Sequence, residues 1–389
     1  MIETLLYKRE FDPALGPAAW RVTDPRQLAA EPPDVRWLDP RRLGEAPALP
    51  EAVRAALPHG AATGVNVRHP RWERALEFAA PRPGKKRLHL LAVGDVGGIL
   101  LTALKLEGAG VLSAIGIRDL NEKAVARWVM EMGQISSCPL QYDALPEVEA
   151  VPPERLFDCD VFVFAATKAI PPVGSGVKDV RMAQLEANRP LAESFARQAR
   201  AAGFRGLFAV LSDPVDPLCR AVWRASNLGP DGKLDHLGLL PEQVQGFGLG
   251  VMSARAAYFA KRDPRFASFF TEGRVFGPHG QGLVVANSIR HYDDALSREL
   301  TRLTLEANLR IRDLGFKPYV APAISSGALQ LLLTLRGEWH CSSAPLGGVW
   351  FGCRNRFVPR HGLELETLEL PDALFARLRE TERALREIS

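Results

Sequence analysis

A strand–turn–helix–strand pattern over residues 88–119 constrains the fold of this chain more than any other feature. The apolar run at residues 88–93 predicts a buried parallel strand. A turn rich in glycine follows at residues 94–98, and apolar stretches at 99–106 and 111–117 predict a helix and a second strand. Glycine in such a turn lets the backbone approach a ligand closely, and the helix N-terminus behind it attracts phosphate.

The turn contains Gly94 and Gly97, the last two glycines of the G-x-G-x-x-G fingerprint, whereas Ala92 stands where the first would be. Asp119 lies 22 residues beyond Gly97, near the position of the acid that accepts hydrogen bonds from a ribose. The pattern therefore predicts a dinucleotide site. An acid at Asp119 favours NAD over NADP, although the neighbouring Arg118 could partner a 2′-phosphate.

Strands and helices continue to alternate after this unit. Apolar runs at residues 157–166 and 206–211 predict two more buried strands, with a long helix at 182–202 between them. Alternation of this kind predicts a parallel, doubly wound sheet, whose ligands bind outside the carboxyl ends of the strands. Beyond about residue 221 the pattern is mixed, so we expect a Rossmann-type α/β domain followed by a mixed α+β domain.

The first 84 residues differ from the rest. They are dense in proline and arginine and carry only short periodic pieces. We interpret them as an N-terminal extension of unknown role, either a small appended domain or an arm that wraps the body. The predicted division is therefore residues 1–84, a dinucleotide-binding domain at 85–245, and a substrate domain at 246–389.

Composition narrows the classes of protein. The chain has 389 residues, of which 47% are hydrophobic and 24% are charged, as in a globular protein. Its net charge of +4 comes without a long basic run, which argues against nucleic acid as the main partner. No apolar stretch is long enough to span a membrane, and no signal peptide is evident. The five widely spaced cysteines indicate a reducing cytoplasm and no metal site.

Further motifs follow the glycine turn in a fixed order. They lie at residues 117–123, at Arg181 with Asn188 seven positions later, and at 212–216, 248–255, 275–280, 321–323 and 347–352. Together they resemble the lactate/malate dehydrogenase family over roughly residues 86–389. The resemblance implies hydride transfer between NAD and a 2-hydroxy or 2-keto acid, a small carboxylate substrate, and assembly as a homodimer or homotetramer.

The resemblance also implies roles for individual residues. His279 matches the acid/base histidine, and imidazole suits proton transfer near neutral pH. Arg255 matches the arginine that binds the substrate carboxylate through its two-pronged guanidinium. Arg181 matches the arginine of the mobile loop, which polarises the carbonyl when the loop closes. No arginine or acid occurs at residues 171–177, which favours a monocarboxylic substrate.

Seven residues are expected to contact the cofactor. They are Gly94, Asp95, Val96, Gly97, Asp119, Ala166 and Asn188.

Three residues depart from the family pattern at the expected site. Met252 stands where the family has the aspartate that orients the histidine, and a thioether cannot stabilise an imidazolium. Asp213 replaces an asparagine, so it accepts hydrogen bonds but does not donate them when ionised. Pro318 falls near a hydroxyl residue of the family. We hypothesise that Asp213 supplies the missing carboxylate to His279; equally, it could meet an amine or imine of an unusual substrate.

Two other functions compete with an altered dehydrogenase. Met252 favours a weakened, NAD-binding sensor or partner protein that has lost efficient catalysis. A less favoured alternative is an NAD-dependent glycosidase of similar fold, which needs a metal-binding cysteine and histidine. Cys219 is the only thiol near Asp213 in sequence, and no histidine has matching spacing.

Overall fold

The structure of the chain is a computed structural model. It describes residues 5–78, 84–168, 180–316 and 322–388, with the backbone alone for Val180 and Arg181. The side chain of Arg181 and the whole of Pro318, both named in the sequence analysis, therefore fall outside the described residues.

Within these ranges the chain forms fourteen strands. They are β1 (Leu5–Arg9), β2 (Ala19–Arg21), β3 (Ala62–Asn66), β4 (Lys86–Leu91), β5 (Leu112–Arg118), β6 (Glu147–Ala150), β7 (Val161–Phe164), β8 (Leu207–Val210), β9 (Val244–Gly246), β10 (Arg274–Phe276), β11 (Val284–Ala286), β12 (His340–Leu346), β13 (Val349–Val358) and β14 (Gly362–Leu365).

The same ranges contain twelve α-helices. They are α1 (Glu51–Ala56), α2 (Trp72–Phe78), α3 (Asp95–Glu107), α4 (Glu122–Gly133), α5 (Val180–Ala201), α6 (Val215–Ser226), α7 (Leu249–Ala260), α8 (Phe269–Glu272), α9 (Asp294–Leu305), α10 (Ala307–Asp313), α11 (Ser325–Leu335) and α12 (Asp372–Ile388). No helix among the described residues combines the length and the apolar composition that crossing a membrane requires.

Twelve of the described strands form one sheet in the order β1-β3-β2-β14-β13-β12-β9-β8-β7-β4-β5-β6. The six strands from β9 to β6 are parallel, and the order reverses between β4 and β7. This is the doubly wound arrangement predicted from the alternating apolar runs, so the predicted fold class is confirmed. Ligands of such sheets bind where the strand order reverses, outside the carboxyl ends.

Two apolar layers cover the parallel strands. On one face, β4 and β5 pack against α3 and α11 through a cluster that includes Leu90, Leu101 and Leu331. On the other face, β7 and β8 pack against α5 and α6 through a cluster that includes Phe208 and Leu218. Because both faces are covered, the strands are apolar at successive positions instead of alternating.

The N-terminal segment continues the sheet beyond the antiparallel strands β12 to β14. Strand β2 pairs with β14, and Trp20 and Trp37 are buried in the same apolar cluster as Phe351 of β13 and Leu374 of α12. The described part of this segment therefore shares an apolar core with the C-terminal part of the chain. Its short strands and 3₁₀ turns carry little periodicity, which is why the sequence pattern did not reveal the shared core.

Glu242 connects the N-terminal segment to the part of the chain that forms the parallel strands. Its buried carboxylate accepts hydrogen bonds from the backbone amides of Ala18 at 3.0 Å and Ala19 at 3.1 Å. Burial raises the pKa of Glu242 to about 7. The contact joins residues more than 220 positions apart in sequence, and it makes the N-terminal strands sensitive to the charge of one side chain.

Candidate functional site

The glycine turn lies between β4 and α3, at the point where the strand order reverses. Ala92 adopts a φ of 74°, the left-handed conformation that the missing glycine of the fingerprint would take at less cost. A Cβ on Gly97 would lie 1.9 Å from the carbonyl oxygen of Ala92, whereas a Cβ on Gly94 would meet nothing within 4 Å. Gly97 is therefore required by packing, and Gly94 leaves open space in front of the helix.

Asp119 is tied to this turn. Its Oδ2 accepts a hydrogen bond from the amide of Val93 at 2.9 Å, and its Oδ1 accepts one from the amide of Asn121 at 2.9 Å. The carbonyl of Val93 accepts a hydrogen bond from the indole of Trp128. The acid expected to bind a ribose thus lies beside the turn expected to bind the pyrophosphate. Asp95 is exposed in the first turn of α3, where its carboxylate would repel a phosphate while its backbone amide remains favourable.

The next two strand ends are joined by side-chain hydrogen bonds. Ser212, after β8, donates to the carbonyl of Ala166, after β7, at 2.7 Å. The fully buried Asn188 of α5 accepts from the amide of Lys168 at 2.9 Å and donates to the carbonyl of Asp213 at 2.8 Å. Asn188 thus fixes the backbone on both sides of the crevice, and its contact with a cofactor stays a prediction.

His279 lies in the loop between β10 and β11 and faces the N-terminus of α7. Its Nδ1 is 2.9 Å from the carbonyl oxygen of Gly248, which can only accept, so Nδ1 carries the hydrogen. A Cβ on Gly248 would lie 2.5 Å from Cβ of His279, and glycine is therefore needed for this close approach. The neutral ring consequently presents an unprotonated Nε2 on its other side.

Asp216 holds the backbone of the loop that carries His279. Its buried carboxylate accepts hydrogen bonds from the amide of His279 at 2.9 Å and from the hydroxyl of Ser343. Burial raises the pKa of Asp216, and these two donors oppose the shift. The sequence analysis gave no role to Asp216 or Ser343. The signal that could have identified Asp216 is its position as an acid within the motif at residues 212–216, in the first turn of α6.

Asp213 lies on the Nε2 side of the imidazole. Its Oδ1 is 3.8 Å from Nε2 of His279, and its side chain is 51% exposed, compared with 18% for the histidine. An orienting carboxylate would have to bond the ring nitrogen that faces away from a substrate, and the carbonyl of Gly248 occupies that place. Asp213 is therefore near the histidine, as hypothesised, but on the side of Nε2 and not of Nδ1.

Arg255 is on the second turn of α7 and points toward the same region. Burial lowers the pKa of Arg255, and the negative charge of Asp213 opposes this shift by favouring the charged guanidinium. One guanidinium nitrogen lies 3.6 Å from the sulfur of the buried Met252, a weak acceptor. Among the described residues, Arg255 forms no ion pair within 4.0 Å, so its hydrogen-bond donors are available to an anion.

Three predicted side chains thus converge: His279, Arg255 and Asp213. A cavity of about 510 Å³ opens beside His279 and is bounded by α5, α6 and α12, but neither Arg255 nor Asp213 is among its described lining residues. Arg181, the expected loop arginine, lies at the start of α5, and its side chain is outside the described residues.

The structure also bears on the glycosidase alternative. Cys219 is completely buried on α6, and burial raises the pKa of its thiol. In the part of the chain that the structure describes, no three His, Cys, Asp or Glu side chains are grouped to hold a metal ion. Cys219 is therefore not available as a metal ligand in this conformation.

Known proteins resemble this chain in sequence and in fold. It is 27% identical to the L-lactate dehydrogenase of Mycoplasma genitalium over 199 residues, 51% of this chain and 57% of that protein. It is 27% identical to the L-lactate dehydrogenase of Corynebacterium glutamicum (strain R) over 217 residues, 56% of this chain and 62% of that protein. The chain thus spans a little over half the length of the curated relatives it matches. No protein-family profile matches the sequence.

Solved structures cover more of the chain at lower identity. The malate dehydrogenase of Picrophilus torridus superimposes with a TM-score of 0.60 at 15% identity, covering 79% of this chain and 97% of that one. A lactate dehydrogenase, MGS-M5, from a Medee basin deep-sea metagenome gives a TM-score of 0.58 at 16% identity, covering 78% and 98%. The chain therefore has the fold of the lactate and malate dehydrogenases. The sequence matches, at 27% identity, are to L-lactate dehydrogenases, so both comparisons indicate similarity to the lactate/malate dehydrogenase family.

Proposed function

We propose that this protein is an oxidoreductase that transfers hydride between NAD and a small 2-hydroxy or 2-keto acid, or a related carboxylate, with an altered active site. The observation that carries the proposal is the convergence of His279 and Arg255 on Asp213 at the carboxyl edge of the sheet. A proton-transfer group and an available cation, side by side, are what hydride transfer next to a carboxylate requires.

Arg255 binds the substrate carboxylate. Its guanidinium is partly buried, and a planar fork of donors fixes the direction of a carboxylate as well as its position. Nε2 of His279 then takes the proton that the substrate loses on oxidation and returns it on reduction. Arg181 is proposed as a second cation that closes over the substrate.

The residues at the glycine turn fit a dinucleotide. A free helix N-terminus, open space in front of Gly94 and a carboxylate at Asp119 supply a cradle for a pyrophosphate and an acceptor for a ribose. NAD, when bound, supplies the hydride acceptor or donor, and Asp119 favours it over NADP.

Loss of efficient catalysis is the second candidate. Met252 brings a sulfur to the guanidinium of Arg255 where the family has a carboxylate, and the histidine has a neutral carbonyl as its partner. An imidazolium formed during turnover therefore has no charged partner on Nδ1, and catalysis slows as a result. A protein that binds NAD without turnover would act as a sensor.

The deciding experiment follows NADH absorbance while the protein is mixed with a panel of 2-keto acids, with and without ammonium. Oxidation that is lost in His279→Ala, with NADH binding retained, supports the enzyme. NADH binding without turnover across the panel favours the sensor, and absence of NADH binding contradicts both. Light scattering of the same preparation tests the expected homodimer or homotetramer.

A further inference from the structure

We infer that the substrate carries nitrogen, not oxygen, on its reacting carbon: the site takes a zwitterionic 2-amino acid and its 2-imino acid counterpart. The inference rests on the proposed function. It comes from the placement of Asp213 at Nε2 of His279, 3.8 Å away, with Arg255 near enough for the charge of the same carboxylate to act on it.

The first argument concerns hydrogen-bond donors. Because Nδ1 of His279 donates to Gly248, the neutral ring offers Nε2 as an acceptor. The ionised carboxylate of Asp213 is also an acceptor, and the two atoms are 3.8 Å apart, too far to bond each other directly. While the ring is neutral, a substrate group that bonds to both atoms must donate two hydrogen bonds. An amine or ammonium has the hydrogens to do so, a hydroxyl has one, and a keto oxygen has none.

The second argument concerns charge. A keto oxygen placed at Nε2 would also lie near Oδ1 of Asp213, and two oxygens rich in electrons repel each other. A 2-amino acid instead carries a carboxylate and an ammonium on adjacent carbons. These charges match the guanidinium of Arg255 and the carboxylate of Asp213, and the negative charge of Asp213 favours the charged form of Arg255. Asparagine at position 213 would be neutral and would lose this match.

The reaction balances with the groups already named. Nε2 of His279 takes one proton from the ammonium group, which leaves the amine. The oxidised nicotinamide dinucleotide, when bound, would accept the hydrogen of Cα with both electrons of the Cα–H bond, and the carbon–nitrogen bond would become double. Water adds to the resulting iminium and releases ammonium and a 2-keto acid. In the reverse direction, Asp213 stabilises the iminium by its negative charge.

The test uses the full-length protein and pairs of ligands that differ only at C2. Calorimetry without dinucleotide measures binding of L-alanine against L-lactate, and of L-leucine against its 2-hydroxy counterpart. Initial rates then compare pyruvate with and without ammonium in the presence of NADH. We compare the protein with Asp213→Asn, and with Asp143→Asn as an isosteric control at an exposed carboxylate beside β6.

We expect the unaltered protein and Asp143→Asn to bind the amino acid of each pair at least tenfold more tightly, and ammonium to be needed for reduction. Asp213→Asn should lose this preference by tenfold or more. Equal binding within each pair, or a preference that Asp213→Asn leaves unchanged, overturns the inference. Ammonium-independent reduction of pyruvate also overturns it while leaving the proposed function intact. Failure to bind or oxidise NADH under any of these conditions contradicts the proposed function, and the inference, which rests on it, fails with it.

Discussion

The carbonyl oxygen of Gly248 lies 2.9 Å from Nδ1 of His279 and fixes the orientation of the imidazole without supplying a charge. In a catalytic pair of histidine and carboxylate, the acid both selects the tautomer and stabilises the protonated ring. Here the backbone carbonyl of Gly248 selects the tautomer, but it carries no charge that would stabilise the protonated ring. The charge near the ring comes from Asp213, on the other nitrogen.

Gly248→Ala should disturb the orientation of the His279 imidazole. The added Cβ would lie 2.5 Å from Cβ of His279, so the loop or the start of α7 must move. We expect a loss of about 1–3 kcal/mol in the free energy of unfolding and a fall of at least tenfold in turnover. Gly133→Ala, at a helix end where a Cβ meets nothing within 4 Å, is the control. Full activity in Gly248→Ala would show that the carbonyl contact is dispensable.

Gly97→Ala and Gly94→Ala separate folding from dinucleotide binding in one turn. At Gly97 the new Cβ would lie 1.9 Å from a backbone oxygen, and we expect the free energy of unfolding to fall by about 2 kcal/mol or more. At Gly94 it meets nothing in the protein, so stability should be unchanged within about 0.5 kcal/mol. A Cβ there projects into the proposed pyrophosphate site, and NADH affinity should drop about tenfold. Chemical denaturation and fluorescence titration measure the two effects, and unchanged affinity in Gly94→Ala would place the phosphate elsewhere.

Arg255→Lys should weaken binding of a carboxylate substrate while keeping the positive charge. An ammonium cannot reproduce two parallel hydrogen bonds, and their loss corresponds to a rise in KM of about 10-fold to 100-fold. Turnover at saturation should change less, because the carboxylate is held in the ground state as well as in the transition state. Arg262→Lys, at an exposed position after α7, is the matched control. A KM that responds equally to both substitutions would argue against a specific role for Arg255.

Glu242→Gln should remove one component of the pH dependence of stability. The carboxyl group titrates near its ordinary value of 4.5 in the unfolded chain and at about 7 when folded. The unfolded chain therefore releases the proton first as pH rises. The free energy of unfolding should fall by about 3 kcal/mol between these pH values and stay level above pH 7.

Urea denaturation at pH 5 and pH 7.5 measures this difference. The Gln variant should lack the slope, because a glutamine amide does not titrate between these pH values. Glu154→Gln changes an exposed carboxyl and should leave the slope intact. Identical slopes in both variants would contradict a raised pKa at Glu242.

The parallel half of the fold was predictable because its signals are local. Strands β4, β5, β7 and β8 are short apolar runs, and a helix lies between each of these and the next, a pattern typical of a doubly wound sheet. Strand β9 has three residues, and β2 pairs with β14 across the length of the chain. No window of sequence contains both partners of such contacts, so neither the short strands nor the shared core of the first 84 residues could be inferred.

The site was predictable to the level of side-chain identity and no further. His279, Arg255 and Asp213 were named from motifs, and the structure brings them together. Which backbone carbonyl faces the imidazole depends on how α7 meets the loop at residues 277–283, and any residue type has a carbonyl. Asp213 was therefore expected in the place that Gly248 occupies.

Because β2 covers the outer edge of β14, residues 1–84 cannot be treated as a removable leader in engineering or in comparisons of sequence. A chain that began at residue 84 would display a bare strand edge beside an apolar face built to contact Trp20 and Trp37. An exposed strand edge can pair with a strand of another molecule, so removing these residues should promote aggregation.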